Sequence, residues 1–268
     1  MVIAGLIISV VIVLILLYSI FIEPHNLEVN EFSLRTSRLA EEESFTILHL
    51  SDLHLREFGR REQRLVDYLD GVTPDVIIIT GDFIEDFSAL YKFEKIFRSM
   101  KSKFGVFGVL GNNDYGLSAN GARVKTLEAF LKDMNITILR NQSIIIGNQI
   151  RLVGVDDPHR GYDNMVKAFR EVAKSDKLRI VLTHSPETVD FLLSRQPDLI
   201  LTGHTHGGQV ALPIFGPVFL NIKKGFKINA GLNYFNNIPV YLSKGIGTTL
   251  FPIRFNCRPE LTLITLEH

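Results

Sequence analysis

The chain has 268 residues, of which 46% are hydrophobic and 22% are charged, a composition typical of a folded domain with one large core. Its 29 basic and 29 acidic residues balance, and no Lys/Arg run is longer than two, so the sequence argues against a nucleic-acid partner. Cys257 is the only cysteine, which excludes an internal disulfide and predicts a buried structural thiol.

The first predicted element is a transmembrane anchor over residues 1–22. No residue from Val2 to Ile22 is charged, and at about 1.5 Å per helical residue the run can cross a hydrocarbon core of ~30 Å. A cleaved signal would carry a basic start and a small-residue cleavage site, so an uncleaved single-pass anchor is expected; a buried core helix is the alternative. Arg35 and Arg38 are the nearest basic residues, and the cytoplasmic face is preferred for the domain that follows.

A polar connector over residues 23–27 leads into a domain predicted to span residues 28–268. Phe32 and Leu34 predict an edge strand at its start. Five short apolar runs then predict buried strands over residues 45–50, 76–80, 104–110, 178–183 and 199–202. Segments with helical spacing lie between these runs, so the predicted fold class is α/β (α+β), with helices layered on sheets.

Each of the five runs is followed within two residues by side chains that can bind a metal ion. The carboxyl ends of strands in such sheets line one crevice, so residues far apart in sequence can converge there. The seven candidate ligands are Asp52, His54, Asp82, Asn112, His184, His204 and His206. This mixed nitrogen and oxygen set suits borderline transition metals, and two ions clamped on a phosphoryl group indicate hydrolysis.

The individual motifs differ in specificity. Asp52-Leu53-His54 alone also fits a chance surface loop, and Gly81-Asp82 also fits a simple turn. His204-Thr205-His206 is more specific, because Gly203 and Gly207-Gly208 around it indicate a tight turn with close backbone approach. Local hydrogen bonding is the alternative for each residue alone, but the coincidence of all clusters at strand ends favours a metal site.

In this order the motifs resemble the calcineurin-like metallophosphoesterase superfamily over residues 52–206. The segments 51–55, 203–209 and 245–260 resemble its membrane-associated YkuE/YaeI branch. The resemblance implies a four-layer α/β/β/α sandwich that binds two divalent ions, Mn²⁺ first, with Fe, Zn²⁺ or Ni²⁺ as alternatives. It also implies that a hydroxide held between the ions attacks phosphorus in line. The implied ligands are Asp52, His54 and His206 for one metal, Asn112, His184 and His204 for the other, and Asp82 as the bridge.

The chain departs from the superfamily at Asn113, where a histidine that assists the leaving group is usual. A neutral amide cannot protonate an alkoxide, so this difference favours substrates with good leaving groups, such as a pyrophosphate. Asn113 can still hydrogen-bond a phosphoryl oxygen, with Asp114 orienting it. His159 is the candidate replacement acid, and an exposed loop histidine is the alternative.

Further residues are candidates for substrate contacts. The candidate substrate-binding residues are Arg160, Gly207 and Gln209. Lys223-Lys224 is a further candidate for phosphate, and solvated surface charge is the alternative for it and for Arg160. The apolar segments 210–222 and 249–255 are candidates for an acyl-chain groove, with ordinary core packing as the alternative. His49 lies inside the first strand, where a hydrogen-bonded core histidine is expected.

Three functions stay open from the sequence. The leading one is a membrane-anchored, binuclear metal-dependent phosphoesterase, expected to be monomeric, that hydrolyses a phosphodiester or pyrophosphate of a small molecule or lipid. The second is a UDP-2,3-diacylglucosamine pyrophosphatase of lipid A synthesis, favoured by the anchor and Asn113 and disfavoured by the YkuE/YaeI-like C-terminal half. The third is a metal-binding scaffold with weak turnover, against which the retention of all seven ligand types argues.

Overall fold

Two six-stranded sheets packed face to face form the centre of the domain. The computed structural model describes residues 2–116, 121–147, 149–172, 177–220, 222, 228 and 230–268. Apolar side chains from both sheets meet between them, among them Ile47, Ile78, Leu152, Ile180 and Leu201. Each fully buried aliphatic side chain contributes about 1.5–3 kcal/mol, so this inner layer contributes strongly to stability.

The strands of the first sheet are β1 (Glu28–Arg35), β2 (Ser44–Leu50), β3 (Val76–Thr80), β4 (Val106–Val109), β5 (Ile136–Ile138) and β14 (Glu260–Glu267). Their order is β1-β14-β2-β3-β4-β5, so β1 is an edge strand as predicted. Strands β2 to β5 run parallel, and β14 is antiparallel to β2. The Ile- and Val-rich strands β3 and β4 are buried throughout, since both faces of this part of the sheet are covered.

The strands of the second sheet are β6 (Gln142–Ile146), β7 (Ile150–Val155), β8 (Leu178–Thr183), β9 (Leu199–Thr202), β12 (Gly231–Phe235) and β13 (Ile238–Leu242). Their order is β12-β13-β9-β8-β7-β6, and β13, β9, β8 and β7 run parallel. A small ribbon of β10 (Ala211–Leu212) and β11 (Gly216–Pro217) stands apart from both sheets. All five apolar runs of the sequence are therefore strands.

Helices cover the outer face of each sheet. On the first sheet lie α2 (Arg60–Asp70), α3 (Glu94–Arg98), the short α4 (Asn112–Tyr115) and α5 (Ala122–Asp133), and on the second α6 (Met165–Ala168) and α7 (Val189–Leu193). Leu65 and Leu69 recur at helical spacing and bury one face of α2, and Leu127 and Leu131 do the same for α5. The predicted four-layer α/β/β/α architecture is confirmed.

An apolar helix, α1 (Val2–Phe21), precedes the domain with nearly all its side chains exposed. It is long and apolar enough to be a membrane span or a signal sequence. Its last turn packs on the domain: Ser19 is buried, and its carbonyl accepts the backbone N–H of Arg254 at 3.0 Å. The Glu23 carboxylate, also buried, accepts the backbone N–H of Cys257 at 2.5 Å. The segment predicted as a polar connector is thus partly built into the fold.

Candidate metal centre

The seven predicted ligands lie on segments that follow β2, β3, β4, β8 and β9 at the carboxyl edge of the two sheets. Five of them have positive φ: Asp52 (49°), His54 (40°), Asp82 (53°), His204 (73°) and His206 (53°). Residues other than glycine rarely adopt this left-handed region, and each costs of the order of 1–3 kcal/mol. Such residues cluster at functional sites, where the surrounding structure holds them in place.

One group of possible ligands combines Asp52, His54 and His206, and all three side chains are buried. Nε2 of His206 lies 3.4 Å from Oδ1 of Asp52 and 3.2 Å from Nε2 of His54. A second group combines Asp52, Asp82 and His184. Oδ2 of Asp82 lies 3.2 Å from Nε2 of His54 and 3.5 Å from Nε2 of His184, so this carboxylate lies between the two histidines.

The spacing of these atoms fits metal ions. Ligand atoms held ~2.1 Å from one ion lie roughly 3.0–3.4 Å apart, which matches the His54–His206 spacing and the 3.1 Å between Nδ1 of His204 and Nε2 of His184. Oδ1 of Asn112 is buried and has no hydrogen-bond partner among the described residues. A buried oxygen without a donor suits a cation, so the side chains present fit a two-metal site. The ligand types accept Mn²⁺, Fe, Zn²⁺ or Ni²⁺.

Hydrogen bonds behind the histidines orient them. Nδ1 of His54 donates to the Glu85 carboxylate at 2.9 Å, and Nδ1 of His184 donates to the carbonyl of Thr80 at 2.8 Å. Both rings therefore direct Nε2 inward, the arrangement in which a supporting acceptor fixes the tautomer of a metal-binding imidazole. Sequence reasoning missed Glu85, because a carboxylate three residues after Asp82 is only a weak signal without knowledge of the loop.

The buried carboxylates and imidazoles shift each other's protonation. Burial alone lowers the pKa of His54, but the neighbouring Asp82 outweighs it and raises that pKa to about 9. Burial also lowers the pKa of His184, and Asp82 again outweighs it and raises that pKa to about 10. Burial raises the pKa of Asp82, yet His184 and His54 hold it well below its usual range. Burial and His54 keep the pKa of His206 well below its ordinary value.

Asn113 and Asp114 both hold Asp82 in place. The backbone N–H and side-chain amide of Asn113 donate to the two oxygens of Asp82 at 2.9 and 2.6 Å. The Asp114 carboxylate accepts the backbone N–H groups of Gly111, Asp82 and Phe83 at 2.8–2.9 Å. Burial and Asp82 raise the pKa of Asp114 to about 7. The structure thus gives both residues contacts that orient Asp82, while their catalytic roles stay predictions.

His159 and Arg160 lie exposed at the rim of the site. The His159 ring stacks on His204 with centroids 4.2 Å apart, and its Nε2 is hydrogen-bonded to Oγ of Ser185 at 3.0 Å. Nε of Arg160 donates to the carbonyl of Asn112 at 3.3 Å. The structure therefore brings these two candidates to the same rim as the predicted ligands.

The other candidate substrate-binding residues have partners within the protein. Gly207 is buried against Cys257, the buried thiol that the sequence predicts. The side chain of Gln209 donates to the carbonyl of Thr249 at 3.0 Å and accepts its N–H at 2.7 Å. This amide joins two loops, so it has little freedom to reach a substrate. Lys223-Lys224 lies outside the described residues.

Two glycines allow the strand-end turns to approach each other. Gly81 has a φ of 84°, and a Cβ there would lie 2.6 Å from Nδ1 of His184. A Cβ on Gly203 would overlap Oγ of Ser51 and the carboxylate of Asp52. The close backbone approach that the sequence predicts around the double-histidine turn is therefore present.

A fully buried arginine lies behind the site, and sequence reasoning gave it no role. The guanidinium of Arg254 donates to the carbonyl oxygens of Gly247, Gly245, Lys244 and Cys257. Backbone N–H groups of residues 246 and 247 in turn donate to the carbonyl oxygens of residues 51 and 52. The only sequence signal was an arginine inside the apolar segment 249–255, which does not by itself indicate burial.

The model of the calcineurin-like phosphoesterase family matches residues 45–208, which is more than half of the chain and includes every predicted ligand. The chain belongs to this family. As a calcineurin-like metallophosphoesterase it is a metal-dependent hydrolase of phosphoric esters, so the resemblance and the enzyme class predicted from the motifs are confirmed.

Curated relatives match over most of their length. Phosphodiesterase YaeI of Escherichia coli is 32% identical, over 90% of this chain and 91% of its own. The uncharacterized metallophosphoesterase YkuE of Bacillus subtilis is 28% identical, over 93% of this chain and 89% of its own. Among solved structures, the TT1561 protein of Thermus thermophilus covers 76% of this chain and 91% of its own at 13% identity, with a TM-score of 0.47.

Proposed function

We propose that this metallophosphoesterase is anchored by α1 and hydrolyses a phosphodiester or pyrophosphate bond of a lipid-linked substrate at the membrane surface. The observation that carries this proposal is the short connection between the anchor and the metal centre. The backbone of Arg254 bonds the last turn of α1, and its guanidinium bonds Gly245 and Gly247. These glycines lie against Asp52 and His54, so a phosphoryl group at headgroup depth is within reach of the site.

The predicted ligands divide between two positions. Asp52, His54 and His206 would hold one ion and Asn112, His184 and His204 the other, with Asp82 between them. The 3.2 and 3.5 Å distances from Asp82 Oδ2 to the two histidines support the bridging role. When bound, two divalent ions neutralise phosphoryl oxygens and make water acidic enough to react near neutral pH.

The residues at the rim would position the substrate. Arg160 is exposed beside Asn112, and its terminal guanidinium N–H groups, which have no partner among the residues that the structure describes, can bind phosphoryl oxygens that do not react. His159 is exposed beside His204 and can give a proton to the leaving oxygen. The amide of Asn113 is held by Asp82 and supplies no proton, so we expect the enzyme to favour substrates whose leaving group is already a good anion.

A specific observation also supports a second candidate, UDP-2,3-diacylglucosamine pyrophosphatase. The leaving group in that reaction is a phosphate monoester, which needs little protonation. This fits a site in which the Asn113 amide is bonded to Asp82 and supplies no proton. The YkuE/YaeI-like C-terminal half favours the broader phosphodiesterase proposal over this one.

A substrate panel separates these functions. The full chain, reconstituted in lipid nanodiscs with Mn²⁺, is assayed against a bis-aryl phosphodiester, an aryl phosphomonoester, a glycerophosphodiester lipid and UDP-diacylglucosamine. We expect turnover of the diesters or the pyrophosphate and much slower turnover of the monoester. Activity on the monoester alone would contradict the proposal. No hydrolysis of any substrate would also contradict it and would favour a metal-binding scaffold.

The substitution Asn113→His tests the leaving-group argument. We expect it to increase the rate for alkyl leaving groups by about 10²-fold and to change the rate for aryl leaving groups little. A uniform change, or none, would remove the argument.

We also propose that the domain lies on the cytoplasmic face. Arg60 and Arg64 border the same small cavity as Phe21, Ile22 and His25, so two basic groups lie beside the domain end of α1, and the anionic cytoplasmic leaflet attracts such groups. A Lys101→Cys variant tests this, because Lys101 is exposed and the native Cys257 is buried. A membrane-impermeant maleimide should label the variant only after permeabilisation of the cells. Labelling in intact cells would reverse the assignment.

A further inference from the structure

We propose that two apolar loops beside the anchor, residues 211–219 and 249–253, enter the bilayer and form a second membrane contact that holds the metal centre against the headgroups. This inference rests on the membrane anchoring proposed above. It concerns a different surface, because neither loop is part of α1.

The two loops hold a concentration of exposed apolar side chains. Beyond Ile22, the described residues include 15 large hydrophobic side chains that are exposed, and seven of them lie on these loops. The seven are Leu212, Ile214, Phe215, Val218, Phe219, Leu250 and Phe251. Single exposed apolar residues are normal on a soluble surface, but a contiguous patch marks a contact with another apolar phase or partner.

The loop tips place apolar side chains where turns usually have glycine or asparagine. Ile214 has a φ of 73° and is fully exposed, and Leu250 has a φ of 59° with 79% of its surface exposed. A left-handed conformation is a genuine outlier for a β-branched residue such as isoleucine. Strained residues of this kind persist where their side chains have a use, and here no protein core covers them.

Hydrogen bonds join the two loops into one unit and join that unit to the anchor. The Gln209 amide pairs with the backbone of Thr249, and the backbone N–H of Ala211 donates to the carbonyl of Phe255 at 2.9 Å. Arg254 follows the second loop directly, and its backbone N–H donates to the carbonyl of Ser19 in α1 at 3.0 Å. The two loops are therefore bonded, through Arg254, to the last turn of the apolar helix α1.

The charge around the anchor also fits a membrane. Arg64 donates to the carbonyl of His25 at 3.0 Å, and Arg60 lies beside it, so positive groups border the domain end of α1. Basic side chains next to an apolar surface suit anionic phosphate headgroups above hydrocarbon. The loops are bonded to the last turn of α1, whose apolar side chains are exposed along the helix, so the bilayer that would receive α1 is the occupant that we infer.

The membrane contact would explain how a substrate reaches the metals. The first loop follows the double-histidine turn directly, and a Cβ on Gly208 would lie 2.6 Å from the Phe219 carbonyl. With both loops in the bilayer, the rim of the site lies at the level of the phosphate groups. The substrate class is then a phosphodiester or pyrophosphate whose acyl chains stay in the membrane.

The absence of tryptophan from the sequence makes the inference directly testable. Four single variants of the full chain each introduce one reporter: Val11→Trp in the middle of α1, Phe215→Trp and Phe251→Trp in the loops, and Tyr234→Trp as the control. Tyr234 is also an exposed aromatic. It pairs with Pro239 near the start of β13, so it lies at the end of the sheet away from the carboxyl edge that carries the metal centre. Each variant is reconstituted in phosphatidylcholine and phosphatidylglycerol nanodiscs, with and without brominated acyl chains.

We expect brominated chains to quench the Val11, Phe215 and Phe251 reporters by about twofold or more and to leave the Tyr234 reporter unchanged, because bromine quenches only within the hydrocarbon. Quenching at Val11 but not at the two loop positions would overturn the inference and leave the anchor intact. No quenching at Val11 would instead overturn the anchoring. Loop reporters that are shielded from aqueous acrylamide yet unquenched by brominated chains would indicate a protein partner and would also overturn the inference.

Discussion

Glu85 supports the metal centre from outside the predicted ligand set. Its carboxylate accepts the Nδ1 proton of His54 at 2.9 Å and also pairs with Arg56, while Nε2 of His54 faces Asp82. A carboxylate behind an imidazole holds the ring in one orientation and makes it a better ligand. Since Glu85 is one-third exposed, its contribution acts through this orientation more than through a strong ion pair.

We therefore expect Glu85→Gln to weaken Mn²⁺ binding by about 10- to 100-fold while the protein stays folded. Titration calorimetry of the full chain measures the affinity, and a thermal melt checks the fold. Glu57→Gln is the matched control, because Glu57 is exposed and lies three residues before α2 begins. Equal affinities for the two variants would show that Glu85 does not support the site.

Two buried histidines also make the stability of the metal-free protein depend on pH. The pKa values of His54 and His184 lie at about 9 and about 10, above the ordinary value of 6.5, so protonation of these rings stabilises the metal-free fold. This contribution is complete below pH 6.5 and is lost as the pH rises through 9 and 10. We expect the melting temperature of the metal-free protein to fall between pH 7 and pH 10 by several degrees, about 2–4 °C per kcal/mol.

Metal ions compete with those same protons. Binding of Mn²⁺ near pH 7.5 should release protons, because His54 and His184, the proposed ligands, must be deprotonated to bind. Calorimetry in buffers of different ionisation enthalpy measures the release. Binding heats that do not depend on the buffer would contradict the expected protonation of the two rings.

At the scale of elements, the turn after β9 depends on a glycine at position 203. A Cβ there would overlap Ser51 and Asp52, both on the turn after β2, so the two strand-end turns would have to separate. Gly203→Ala should lower the free energy of unfolding by about 1–3 kcal/mol, the cost of overpacking, and should weaken metal binding. Thermal melts with and without Mn²⁺ measure both effects.

Gly71→Ala is the control for that variant. Gly71 follows the last residue of α2 and has a φ of −92°. A Cβ added there would lie 3.5 Å from its nearest neighbour, the Tyr68 carbonyl oxygen, which is an ordinary contact distance. We expect a change within ~0.5 kcal/mol. A Gly203 variant that melts like this control would mean that the two turns are not closely packed.

Local patterns made most elements predictable from the sequence. The apolar runs 45–50 and 178–183 are strands with nearly the same bounds, because a buried strand needs a continuous apolar stretch. His49 is a core histidine as expected: it is fully buried, burial lowers its pKa to about 3, and it is hydrogen-bonded to Thr80. Convergence of the candidate ligands was predictable because parallel strands end at one edge.

Contacts between distant segments were not predictable from those patterns. The pairing of β1 with β14 joins residues more than 200 positions apart, and the bond between His54 and Glu85 depends on how two loops pack. The same holds for Arg254, whose partners in α1 and behind the metal centre are brought together only by the fold. No local periodicity encodes such contacts.

At the scale of the whole molecule, Arg254 connects helix α1 to the catalytic domain. Its guanidinium is fully buried and donates to four backbone carbonyl oxygens. Hydrogen bonds to a charged group contribute about 1.5–3 kcal/mol each when measured by removal of one partner. The C-terminal segment and the turns behind the metal centre therefore share this side chain, and the backbone N–H of the same residue bonds the last turn of α1.

Arg254→Met should consequently destabilise the full chain by at least ~2 kcal/mol, seen as a melting temperature lower by about 5 °C or more. Arg258→Met is the matched control, since Arg258 is exposed four residues later and should melt like the wild type. Similar melting temperatures for the two variants would exclude the connecting role of Arg254.

We propose above that one buried site holds two metal ions bridged by Asp82, and metal stoichiometry tests this proposal most directly. The full chain is loaded with Mn²⁺, freed of loosely bound metal and analysed by mass spectrometry of the elements, alongside Asp82→Asn and the exposed control Asp70→Asn. We expect two ions per chain in the wild type and the control. In Asp82→Asn we expect loss of both ions. We also expect activity to fall by more than the ~10- to 100-fold that follows when a residue supporting a metal ligand is removed. Two ions retained in Asp82→Asn, or full hydrolysis by a wild-type chain holding one ion, would contradict the account.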